Sequence, residues 1–212
     1  MILNFLKLKL ARQITKNILL LCAATLFLMF VCEVSFAVEV QDGFNTARKM
    51  QSKYFTIYVE SGVDLQNVTM AISVPPSIKA IIRKPTSEFK EFNITNQFDL
   101  LFLAISEIMD IRLKTFDCKI KICRDFSSMS SIISKLYGQK MPKTAGVYVA
   151  GMNTMYVDGE KVDINVIAHE MSHAIQCRYF VVPPSERIQE VLSGFVEYQI
   201  RKYSNTLPKK RK

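Results

Sequence analysis

Apolar and polar residues alternate along 54–60, which predicts a strand with Phe55, Ile57 and Val59 on one face. Helical spacing takes over at Asp64: Leu65, Val68 and Ile72 recur until Pro75-Pro76 stops the run. Residues 38–53 are polar and predict irregular chain or a poorly held helix, while 77–84 fits helix or strand and Pro85 closes it. A long helix is expected over 97–113, capped by Asn96 with Asp99 in its first turn. Phe98, Leu101, Phe102, Ile105 and Ile108 form its apolar stripe, read as core. Alternation returns over 118–123, with Cys118, Ile120 and Ile122 on the buried face and Cys123 on the lysine face. Met129, Ile132, Ile133 and Leu136 then mark a helix from Ser127 that ends at Gly138. Two further strands, 144–149 and 154–158, are joined by a turn at 151–153.

The pattern changes character at 166–175, where a polar insert interrupts an apolar helix. His169 and His173 stand four apart, so they project from one helical face, one turn above the other. Both imidazoles can then reach one Zn²⁺ through bonds of about 2.0–2.1 Å. Glu170 follows the first histidine and swings its carboxylate beside the metal position, where it can take a proton from water. Without a ligand, the same three side chains would press against a core unpartnered, which is costly. Phe180 ends this helix, Pro183-Pro184 turn the chain, and Ser185 can cap a last helix with Glu186 in its first turn. One side of that helix carries Ile188, Leu192, Phe195 and Gln199; another carries Glu190, Gly194, Glu197 and Arg201.

His169-Glu170-Met171-Ser172-His173 resembles the signature of the zincin metallopeptidases, and its surroundings resemble the gluzincin type. Metzincins continue the motif to a third histidine, but here Cys177 and Arg178 follow and the chain has only two histidines. The resemblance implies an α+β fold: a small mixed sheet with helices, an active-site helix, and a C-terminal helix supplying a glutamate as third ligand. Gly194-Phe195-Val196-Glu197-Tyr198 matches part of the family's pattern there, although Ser193 stands where that version has its glutamate. Aligned on Gln189-Glu190-Val191-Leu192, the implied ligand is Glu190, with Glu197 the alternative, and Gly194 lets the two helices approach. With Gly194 where some gluzincins have an outer carboxylate, Glu197 could instead orient a histidine. In the family, the strand before the metal helix lies at the sheet edge and pairs with extended substrate, which implies a substrate wall over 148–158. The implied activity is zinc-dependent hydrolysis of peptide bonds, with Glu170 as general base and a peptide or protein as substrate. Tyr148, Tyr156, Tyr179 and Tyr198 are open alternatives for stabilising the oxyanion. A non-catalytic zinc- or peptide-binding module on the same fold is the competing reading, against which Glu170 counts, since a structural site has no use for a base.

The first 37 residues stand apart. Lys7, Lys9, Arg12 and Lys16 precede an uncharged run over 17–32, and Ser35-Phe36-Ala37 offers small residues at the two positions a signal peptidase reads. The apolar core of about 15 residues falls short of the ~20 that span a bilayer. A cleaved signal is expected, with export to the periplasm or the extracellular side; a membrane anchor formed by 17–36 is the alternative. Residues 38–212 then form a single domain, which meets the membrane only transiently through the signal or through that anchor. Loss of 1–37 lowers the net charge from +9 to +6, thinly spread except at Lys209-Lys210-Arg211-Lys212. No aromatic-and-basic stripe suits nucleic acid, and none is expected as a partner. Cys118, Cys123 and Cys177 remain, an odd count with no local bridge, which excludes a disulfide scaffold.

Overall fold

The computed structural model describes residues 42–208, so the expected signal or anchor segment and the terminal basic run lie outside the described residues. Five strands form one mixed sheet: β1 (Thr46–Gln51), β2 (Phe55–Glu60), β3 (Cys118–Cys123), β4 (Gly146–Val149) and β5 (Thr154–Asp158). Their order is β1-β2-β3-β5-β4. The central three run parallel, and β1 and β4 close the edges antiparallel. Six helices occur among the described residues: α1 (Leu65–Ala71), α2 (Pro76–Lys79), α3 (Ile94–Ile108), α4 (Phe126–Tyr137), α5 (Ile164–Tyr179) and α6 (Glu186–Tyr203). The class is α+β, as expected.

Each face of the sheet has its own core. Phe55, Ile57, Ile120, Ile122, Met155 and Val157 belong to the larger one, shared with α3 and α5. On the opposite face Cys123, Val149 and Tyr156 pack with Met129, Ile132 and Ile133 of α4. A strand covered on both sides cannot keep a solvated lysine face, and this corrects the reading of 118–123: Cys123 is fully buried and Lys121 is nearly so. Burial pushes the Cys118 thiol up to about 12 and raises that of Cys123, so neither is a thiolate at neutral pH.

Two other expectations shift for local reasons. Residues 46–51 form a strand, not irregular chain; an edge strand needs only its ladder to β2, and β1 is polar and exposed throughout most of its length. α3 begins three residues early because Asn93, not Asn96, is its cap, with its side chain accepting from the Asn96 N–H at 2.9 Å. It stops at Ile108, ahead of Asp110 in the left-handed region (φ 52°). Asp99 is buried and accepts from Ser52 Oγ at 2.7 Å and the Lys53 N–H at 3.0 Å, which ties the β1–β2 turn to α3.

Lys121 is tolerated inside because Asp42 meets it. Its Nζ lies 2.6 Å from Asp42 Oδ2, the Tyr156 hydroxyl donates to the same oxygen, and the ammonium sits 5.4 Å from the Phe44 ring centre. Burial alone would raise the Asp42 carboxyl; the bonds from Lys121 and Tyr156 outweigh it and hold it below 3.8. Asp42→Ala should therefore cost about 3–5 kcal/mol in chemical denaturation at neutral pH, as removal of one partner of a buried pair does. A depressed carboxyl contributes fully above its unfolded value and loses that contribution as pH falls through the lower folded value. The difference between wild type and Asp42→Ala should thus shrink below about pH 4; a difference unchanged down to pH 2 would show that the charge of Asp42 is not what matters.

Candidate functional site

α5 starts cleanly because Asp163 accepts from the Asn165 and Val166 N–H groups at 2.8 and 2.9 Å. Ile167, Ala168, Met171, Ala174 and Ile175 turn into the core, which leaves His169, Glu170 and His173 half-buried on the free flank. α6 runs back along α5, so that Gln176 meets Gln189, Ser172 meets Ser193, and His169 meets Glu197. The two helices touch through small polar groups. Ser172 Oγ is 2.6 Å from Ser193 Oγ, and Gln176 Nε2 donates to Ser193 Oγ at 3.1 Å, all three residues being fully buried.

This contact overturns one expectation for α6. Gly194 is not the point of close approach: it is exposed, and a Cβ built there would meet nothing within 4 Å. Ser193, Val196 and Ile200 take the inward face, which leaves Ile188 and Phe195 52% and 48% exposed.

Three side chains converge beside that contact. His169 Nε2 and His173 Nε2 are 3.3 Å apart, and the Glu190 carboxylate reaches them at 3.4 Å and 3.4 Å through its two oxygens. Ligands placed tetrahedrally at about 2.0–2.1 Å from a common centre are separated by about 3.3–3.4 Å. The two imidazoles meet that spacing, the carboxylate turns one oxygen to each of them, and such a set of three suits Zn²⁺ with a fourth position free. Burial lowers the His173 pKa, with His169 adding to the effect, and this favours the neutral ring a metal requires. Glu197 stands on the other side of His169, its Oε2 3.3 Å from Nδ1, while Arg201 Nε and a terminal guanidinium nitrogen hold Oε1 at 2.9 Å. A carboxylate at Nδ1 keeps the proton there and turns the Nε2 lone pair toward His173 and Glu190. The structure therefore brings Glu190, not Glu197, to the pair of Nε2 atoms.

Glu170 faces the sheet edge. Its Oε2 accepts from the backbone N–H of Tyr148 in β4 at 2.8 Å. Burial raises its carboxyl pKa, opposed by His169 and by that N–H. The contact needs a glycine beside it: a Cβ at Gly146 would lie 2.9 Å from Val166 Cγ1 and 3.2 Å from Glu170 Cγ. The expected edge strand also changes, because β5 sits between β3 and β4, and β4 alone forms this edge. β4, α5 and α6 enclose a cleft of about 490 Å³ onto which Thr144, Gly146, His169, Glu170, His173 and Glu190 open.

Of the four tyrosines weighed for the oxyanion, Tyr148 lines this cleft, but its hydroxyl donates to Asn153 Oδ1 at 3.0 Å. Tyr156 is spent on Asp42 in the opposite core, Tyr198 opens onto a different groove, and Tyr179 packs edge-on against Phe180. Tyr137 at the end of α4 lines the cleft and was not foreseeable, since helical spacing placed it only near a helix terminus. Neither the Tyr148 N–H nor the Glu197–Arg201 pair carries a local sequence signal beyond the spacing of four between Glu197 and Arg201. Compared with known proteins, the chain matches no family model, and no curated protein or solved structure is significantly similar to it.

The two serines, and not the glycine, should control the helix contact. Gly194→Ala should raise stability by about 0.5–1 kcal/mol, because it fills open space in a helix interior. Ser193→Leu should lower it by roughly 1–3 kcal/mol through overpacking and loss of the Ser172 bond. Denaturant titration of both variants checks the pair, and the opposite order would restore Gly194 as the contact point.

Proposed function

We propose that the protein is a zinc-dependent peptidase in which His169, His173 and Glu190 hold the metal and Glu170 is the general base. The observation that carries this reading is the convergence of two imidazole Nε2 atoms 3.3 Å apart with a carboxylate that sets one oxygen 3.4 Å from each, opening on the same cleft as Glu170. Zn²⁺ in such a set lowers the pKa of water toward ~7 and polarises a carbonyl. The chain's own residues supply the rest. Glu170 accepts the proton of the attacking water and returns it to the leaving amine. The Tyr148 N–H holds one of its oxygens, which leaves the other free for that transfer. Glu197, steadied by Arg201, orients His169. The substrate is a peptide or protein, and the enzyme acts after export, in the periplasm or outside the cell, or tethered by residues 17–36.

The ligand set is tested by metal content. His169→Ala, His173→Ala and Glu190→Ala should each lose Zn²⁺, whereas Glu197→Ala should retain it with affinity lowered by about 10–100-fold. Stripping by Glu197→Ala with full retention in Glu190→Ala would move the third ligand by two turns.

Glu170→Gln keeps the side chain's shape and removes its basicity. Peptide hydrolysis should fall by about 10²–10⁴-fold with zinc content unchanged. Undiminished hydrolysis would sink the mechanism. Equal zinc with no hydrolysis in either protein would point instead to a non-catalytic zinc- or peptide-binding module.

A further inference from the structure

Large apolar side chains left in solvent are concentrated in one part of this molecule. Of twelve among the described residues, nine lie between Tyr179 and Leu207, so this surface differs in kind from the rest. Ile188, Val191, Phe195 and Tyr198 succeed one another at spacings of three, four and three, and they form a single stripe along α6. The stripe lies across the helix from Ser193, Val196 and Ile200, which face the core. α6 is thus apolar on two opposite sides, and the fold uses only one. The loop leading into it exposes Val181 and Val182 almost completely, at 101% and 80%, just ahead of two prolines.

The ends of the stripe are basic. Arg187 stands one turn before Val191, Lys202 continues the row one turn after Tyr198, and both are exposed. The sequence beyond α6 goes on to Lys209-Lys210-Arg211-Lys212. Among the acidic residues of this helix, Glu190 and Glu197 turn to the histidines, which leaves Glu186 at its start.

We propose that the outer face of α6, together with Val181 and Val182, docks the protein on an anionic lipid surface. Charge selects this occupant. A second copy laid along the stripe in either direction would set basic ends against basic ends, an arrangement that opposes pairing. A layer of anionic headgroups instead attracts both ends, and the long stems of Arg187 and Lys202 let their charges stay in that layer while the apolar row enters the acyl boundary. No helix among the described residues is long and apolar enough to cross a membrane, so the contact is interfacial. Helical spacing puts Glu190 and Glu197 on the flank between the two apolar faces, so docking leaves the histidine cleft uncovered. The proposal does not depend on the metal chemistry.

The chain contains no tryptophan, so Phe195→Trp places a single reporter on the stripe of the full-length protein. Phe92→Trp, at another exposed position, places one away from it. Each is mixed with vesicles of brominated phosphatidylcholine, with and without brominated phosphatidylglycerol. The expected result is a blue shift and at least a halving of the Phe195→Trp emission on phosphatidylglycerol vesicles, little change on neutral ones, and none at Phe92→Trp. Arg187→Glu with Lys202→Glu in the Phe195→Trp background should abolish the quenching. Because the readout is local, insertion of residues 17–36 by themselves does not imitate it. An unquenched Phe195→Trp, quenching equal at both positions or on both lipids, or a concentration-dependent shift without lipid would overturn the proposal, the last in favour of a second copy.

Discussion

The hydrogen bond between Ser172 and Ser193, at 2.6 Å, sets how near α6 comes to α5. Both hydroxyls are buried, so they bring the helices together at a separation that larger side chains would prevent, and each satisfies the other. The carboxylates that α6 brings to the cleft follow from that spacing. Glu190 lies three residues before Ser193 and Glu197 four residues after it, which places one carboxylate at the Nε2 atoms and the other at Nδ1 of His169. At the far end of α6, Ser77 donates to the carbonyl of Tyr203 at 2.6 Å and holds that end of the helix. A carboxylate as exposed as Glu190 would otherwise have no reason to stay within reach of two rings.

The sheet edge supplies the remaining constraint. The Tyr148 N–H fixes the Glu170 carboxylate, and that donor is available because β4 is an edge strand. Gly146 lets the strand come close enough. In the proposed reaction, the group that moves the proton is therefore positioned by backbone, and on β4 only Gly146 must stay free of a side chain for it. An extended peptide added to β4 would run past the same carboxylate.

The motif at 169–173, the helix start at Asp64 and the helix-ending Gly138 act within a few residues, and for that reason they are legible in the sequence. The carboxylate on α6 was also legible, though between alternatives, since Glu190 and Glu197 share a flank seven residues apart. What could not be read depends on partners distant in the chain. The polar row of β1 resembles loop until β2 pairs with it. Lys121 marks a solvated face until Asp42 arrives from 79 residues upstream. Which face of α6 turns inward was not legible, because apolar residues stand on both sides, Val196 and Ile200 inward and Ile188, Val191 and Phe195 outward. Strand order, too, is fixed by long-range pairing, which put β4 outside β5.

The Asp42 clip has a consequence for how the chain becomes a protein. Its two partners lie 79 and 114 residues later, on β3 and β5. During synthesis Asp42 therefore precedes the residue that neutralises its charge by 79 positions. Closing so long a loop comes late, and a contact that gathers the beginning of the domain to its middle is among the least local the fold contains. The clip thus ties the chain at Asp42 to two separate strands at once, the charge through β3 and the hydroxyl through β5.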